Sequence, residues 1–88
     1  MPRYIIERNV GAISQEDLET TSKKSKEVMA TIPGMVWIRS YYSAAAGKIY
    51  CEYEAPNPQV ILEHAKLTGL PADKISEITL ELSPDMFP

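Results

Sequence analysis

Apolar and polar residues alternate along several short stretches of the chain. Three stretches are rich in Ile, Val, Tyr and Trp, which is typical of β-strands: Arg3 to Arg8, Met35 to Ser43 and Lys48 to Glu54. The tetrapeptide Ala44 to Gly47 is the predicted hairpin connection between the second and third strands. A fourth strand is predicted from Ile75 to Leu82. The pattern therefore predicts four strands.

Two further stretches carry the signals of helix ends. Ser14 precedes two acidic residues, as an N-cap precedes a first turn stabilised by the helix dipole, and this helix is predicted to run to about Ala30. Asn57 is a candidate cap for the second helix, with Pro58 in its first turn. Gly69 is predicted to end that helix in a left-handed conformation.

The order β-α-β-β-α-β predicts an α+β fold, a ferredoxin-like βαββαβ sandwich. In this fold a four-stranded antiparallel sheet carries both helices on one face and leaves the other face open. The length of 88 residues fits a single domain over residues 1–88. A core of this size gives only marginal stability, so burial against a second subunit is expected.

Strict alternation along the second strand divides its residues between the two faces of the sheet. It places Val36, Ile38 and Ser40 toward the helices. It places Met35, Trp37, Arg39 and Tyr41 on the open face. An aromatic face rimmed by charge is typical of an interface, so Trp37, Arg39 and Tyr41 are predicted to form a homodimer contact.

Composition excludes several functional classes. The net charge is −3 and basic residues are scattered, which argues against nucleic acid as a partner. No apolar run approaches the length of a membrane span, so no membrane association is expected. The single Cys cannot form an internal disulfide and fits a reducing compartment, and the protein is expected to be cytoplasmic.

The helix side of the predicted sheet gathers polar residues. Two serines, Ser22 and Ser25, interrupt the apolar stripe of the first helix, where an unsatisfied hydroxyl is costly. Ser40, Cys51 and His64 are predicted to face the same space. This cavity supports an alternative function, as a small-molecule-binding or cofactor-independent enzyme domain of the dimeric α/β-barrel type.

The residues alone leave several chemistries open. His64 and Cys51 are types that bind nickel, zinc or copper, although no CxxC or HxxxH spacing supports a site. The same pair could act as a thiolate–imidazole nucleophile oriented by Glu7 or Glu54, but no oxyanion hole is identifiable. His64 could also act as a general base, and a domain without a ligand is a further alternative.

Several segments together resemble a family of small bacterial ferredoxin-like proteins that are described as uncharacterised or nickel-binding. The similar segments are Tyr4 to Arg8, Val36 to Tyr41, Lys48 to Pro56, Glu63 to Ala65 and Gly69 to Ile75. The resemblance extends from Pro2 to about Glu81. It implies a ferredoxin-like fold, homodimerisation and binding of Ni²⁺.

The resulting prediction is a small, dimeric, non-enzymatic protein that binds a divalent metal, with nickel as the best candidate. His64 is the predicted primary ligand and Cys51 lies near it. Glu7 or Glu54 is predicted to supply oxygen donors. Since nickel usually takes more ligands than these, waters or a second subunit are expected to complete the site.

Overall fold

Strands and helices follow one another in the predicted order. The computed structural model describes residues 1–87. Its elements are β1 (Arg3–Asn9), α1 (Gln15–Met29), β2 (Val36–Ser43), β3 (Lys48–Glu54), α2 (Pro58–Thr68), β4 (Lys74–Glu77) and a 3-10 turn at Pro84–Met86. All strand pairs are antiparallel, in the sheet order β2-β3-β1-β4. The predicted α+β, ferredoxin-like fold is confirmed.

Both helices begin and end at the residues that the sequence indicated. The Ser14 side chain accepts a hydrogen bond from the backbone N–H of Asp17 at 3.1 Å, and Asn57 Oδ1 accepts one from Val60 at 3.1 Å. Gly69 ends α2 with φ of 76°, in the left-handed region that favours glycine. Local side-chain chemistry therefore fixes the helix limits.

The last strand is shorter than predicted, because its partner ends. β4 spans Lys74–Glu77, whereas a strand from Ile75 to Leu82 was predicted. The Ile78 amide donates to the carbonyl of Arg3, the first residue of β1, at 2.8 Å. Beyond this bond β1 offers no further residue to pair with, and Leu82 is exposed.

A β-bulge in β2 reverses the predicted faces of its first residues. Trp37 pairs with Tyr53 and Arg39 pairs with Glu52, so Ile38 is an extra residue without a partner on β3. Trp37 therefore shares the helix side with Tyr53, and its predicted position on the open face is wrong.

Among the other residues of β2, some predicted faces are wrong and some are right. Val36 pairs with Glu54 on the open face, so its predicted position under the helices is also wrong. Arg39 and Tyr41 lie on the open face as expected, and Tyr41 is exposed. Their contact with a second subunit stays a prediction.

The core lies between the sheet and the two helices. Ile6, Tyr53 and Ile61 are almost completely buried there, from β1, β3 and α2 respectively. On β3, Cys51 lies on the helix side as predicted and shares it with Ile49 and Tyr53. In residues 1–87 no helix has both the length and the apolar character to cross a membrane.

Candidate functional site

His64 lies inside the protein between α2 and α1. Its side chain is completely buried, and its Nε2 atom lies 3.0 Å from the carbonyl oxygen of Ser25 and 3.2 Å from Ser25 Oγ. Because a carbonyl only accepts hydrogen bonds, Nε2 must carry the proton and donate. Nδ1 is then a bare lone pair, and it has no hydrogen-bond partner among the described residues.

The surroundings of His64 keep it neutral. Burial is the main cause that lowers its pKa, the bond to the Ser25 backbone opposes this shift, and the positive charge of Arg8 adds to it. A neutral imidazole is the form that binds metals. The same Arg8 charge, however, disfavours a dication at this position.

Arg8 is the second buried polar group of the helix side. It is 0% exposed, although it is a charged residue of β1. Its Nη1 donates to the carbonyl of Pro71 and its Nη2 to the hydroxyl of Tyr53, both at 3.1 Å. Its Nε has no partner among residues 1–87, and no carboxylate in this part of the chain forms an ion pair with it.

Tyr53 connects the two buried groups. Its ring stands edge-on to the His64 ring, with centroids 5.7 Å apart, and its hydroxyl accepts from Arg8. Burial, followed by the nearby Cys51, raises the pKa of this phenol, although Arg8 and Ser25 oppose the shift. The phenol is therefore neutral at pH 7 and does not balance the charge of Arg8.

A cavity of about 30 Å³ lies next to Arg8, between α1 and the sheet. This is room for about two water molecules. The lining residues are Arg8, Thr21, Ser22, Ser25, Trp37, Ser40, Ile49, Cys51, Tyr53 and Leu70. Several of them, among them Thr21 and Ser22, are half-buried, so the cavity has access to solvent.

The structure brings together the three serines and the cysteine that were expected to share a cavity. Ser22, Ser25, Ser40 and Cys51 all line it. Ser40 Oγ accepts from Trp37 Nε1 at 2.8 Å, which leaves its own O–H available as a donor. His64 is not among the lining residues.

The predicted oxygen donors lie on the other side of the sheet. Glu7 pairs with Tyr50, and Glu54 pairs with Arg3 and Val36, all on the open face. The sheet therefore separates Glu7 and Glu54 from Cys51 and His64. Neither Glu7 nor Glu54 therefore lies on the same side of the sheet as His64 within one copy, and their role as oxygen donors stays a prediction.

The described part of the chain contains no group of three or more His, Cys, Asp or Glu residues arranged to hold a metal ion. Cys51 is a buried free thiol.

Comparison with known proteins identifies the family. The family model described as nickel responsive protein SCO4226-like matches residues 4–78. This chain belongs to the SCO4226-like family. No curated protein matches it.

The fold of this SCO4226-like chain is also that of a solved structure. The crystal structure of SCO4226 from Streptomyces coelicolor A3(2) superposes with a TM-score of 0.81, over 91% of this chain and 99% of that one. The two sequences are 21% identical, so the likeness establishes the fold alone.

Sequence reasoning missed one polar residue of the helix side in this SCO4226-like chain, Arg8. The signal was present, because alternation along β1 puts Arg8 on the same side as Tyr4 and Ile6. An arginine in phase with a buried apolar stripe indicates either a strand end in solvent or a buried cation, and here it is the latter.

Proposed function

We propose that this protein binds Ni²⁺ as a homodimer, with the metal held between two copies. Membership of a nickel responsive family over residues 4–78 is the observation that carries the proposal. Nickel takes nitrogen and oxygen donors. Since one copy offers no group of three such residues in its described part, a second copy is needed to complete the coordination.

The carboxylates of the open face are better supported as donors than His64. Glu54 makes no ion pair with any other residue of the described chain, and Glu7 is held only by Lys48 at 3.5 Å. Both are half-buried and lie where a second sheet would cover them. His64, by contrast, already donates through Nε2, its Nδ1 is enclosed, and Arg8 repels a cation there.

The metal proposal is tested by native mass spectrometry and calorimetry of untagged protein with Ni²⁺, Zn²⁺ and Cu²⁺. We expect stoichiometric Ni²⁺ on the dimer and a loss of affinity of about tenfold or more in Glu54→Gln. Glu63→Gln is the matched control, because Glu63 is exposed on α2 away from the open face. Absence of Ni²⁺ from the wild type would refute the proposal.

His64→Gln separates the two candidate ligand sets. We expect it to leave Ni²⁺ affinity unchanged if the carboxylates of the open face bind the metal. If His64→Gln abolishes binding and Glu54→Gln does not, the metal lies on the helix side and the open-face site is wrong.

The homodimer is supported by the apolar content of the open face. Tyr41 is 62% exposed and Val36 is 46% exposed there, next to Arg39. Light scattering after size-exclusion chromatography measures the oligomeric state directly. Tyr41→Glu should give a monomer, whereas Leu62→Glu, an equally exposed change on α2, should not. A monomeric wild type at high micromolar concentration would contradict this.

A free thiol, Cys51, supports a reducing compartment such as the cytoplasm.

A further inference from the structure

The helix side presents a buried positive charge without a counter-ion. Arg8 is fully buried and makes no ion pair with any carboxylate in residues 1–87. A buried charge is expensive unless it is paired and hydrogen-bonded. Two of its five N–H donors have protein acceptors, at Pro71 and Tyr53, and Nε has none.

Hydrogen-bond donors predominate in the cavity beside Arg8. Ser40 Oγ accepts from Trp37, so this hydroxyl keeps its O–H as a donor, and Ser25 contributes its hydroxyl to the lining. Thr21 and Ser22 add two further hydroxyls to the lining. No carboxylate of residues 1–87 lines the cavity.

The size of the cavity restricts what it can hold. A volume of about 30 Å³ corresponds to about two water molecules. A planar monovalent oxyanion such as formate or nitrate is of this size, whereas sulfate and phosphate are larger and carry more charge. Access to solvent past the half-buried Thr21 and Ser22 gives such an ion a path of entry.

We propose that this cavity binds a small monovalent oxyanion, with Arg8 as its counter-ion, the hydroxyl of Ser40 as an additional donor and Ser25 in the lining. The anion accepts from the donors that the protein leaves without partners. This site is separate from the proposed nickel site, because the sheet lies between the cavity and the carboxylates of the open face.

Trp37 makes the site measurable. It is the only tryptophan of the chain and it lines the cavity. Sodium formate is titrated into the metal-free protein at constant ionic strength, with Trp37 emission and the melting temperature as readouts. We expect a saturable change in emission with a rise in melting temperature, and a weaker response to sulfate. A wild type whose emission and melting temperature do not respond up to about 100 mM formate would overturn the proposal.

Variants test which groups bind the ion. Arg8→Met should abolish the saturable response, and Arg39→Met, which removes a positive charge from the open face, should retain it. If Arg8→Met does not fold, Ser40→Ala decides the question, because losing one donor to a charged ligand should weaken formate binding about tenfold. Unchanged affinity in Ser40→Ala and Ser25→Ala would refute the assigned site. Ni²⁺ binding is measured separately, so failure of either proposal leaves the other testable.

Discussion

The burial of His64 predicts a specific dependence of stability on pH. Burial lowers its pKa, with a further contribution from Arg8, so the folded protein keeps the ring neutral under conditions in which the unfolded chain binds a proton. Stability should therefore be present above the unfolded pKa and be lost as the pH falls. Because His64 is the only histidine, His64→Leu removes this contribution completely.

The size of the effect follows from the reference pKa of 6.5. Between pH 7.5 and 5.5, protonation of an unfolded histidine lowers the free energy of unfolding of the wild type by at most about 1.4 kcal/mol. At pH 7.5, His64→Leu loses the Nε2–H bond to Ser25 and should cost about 1–2 kcal/mol. The two proteins should therefore be nearly equal in stability at pH 5.5.

Urea denaturation at constant ionic strength, followed by the emission of Trp37, measures both curves. The two proteins differ only at position 64, so the difference between their curves isolates His64. Parallel curves from pH 7.5 to 5.5 would show that the folded protein accepts the proton as readily as the unfolded chain, and the interpretation of His64 would be wrong.

Urea denaturation at pH 7.5 also tests the packing; here it is followed by far-UV circular dichroism, because Trp37→Glu removes the only tryptophan. Trp37→Glu should lower the free energy of unfolding by about 2–3 kcal/mol, since Trp37 packs against the core. Tyr41→Glu should change the free energy of unfolding of the monomer by less than about 0.5 kcal/mol, since Tyr41 is exposed. Equal effects of the two changes would contradict the assignment of Trp37 and Tyr41 to opposite faces of the sheet. Ile61→Ala should cost about 2–5 kcal/mol and the exposed Leu62→Ala less than about 1 kcal/mol, and the reverse order would contradict the packing of α2. Asn57→Ala should cost about 1 kcal/mol through the lost N-cap; no change would show that the bond to Val60 contributes nothing.

Features set by neighbours in the sequence were predictable. The caps at Ser14 and Asn57 and the left-handed Gly69 act within a few residues, so the sequence pattern contains the whole interaction. The position of Cys51 on the helix side was also predictable, because no irregularity interrupts the alternation of buried and half-buried residues along β3.

Features set by distant parts of the chain were not predictable. Simple alternation fails at Ile38, because one inserted residue moves Trp37 to the other face, and nothing in the local sequence marks the bulge. The end of β4 depends on where β1 begins. The burial of Arg8 depends on Pro71, 63 positions away in the sequence.

The oxygen donors illustrate the same limit. Glu7, Glu54, Cys51 and His64 were each reasonable metal ligands by residue type. Whether they meet depends on the faces of three separate elements, and the sheet keeps them apart. Residue type thus predicted candidate chemistry but not its assembly.

The shortness of β4 has a kinetic consequence. Within residues 1–87 this four-residue edge strand pairs only with β1. The contact continues where the Asp73 amide donates to the Glu7 carbonyl at 2.9 Å and the Asn9 amide donates to the Asp73 carboxylate at 2.6 Å. Edge segments with few bonds open locally without global unfolding. We therefore expect the amides of β4 to exchange with solvent hydrogen faster than those of β3. Because Pro71 precedes this strand and accepts a hydrogen bond from Arg8 Nη1, opening of the edge should also break that bond to the buried cation.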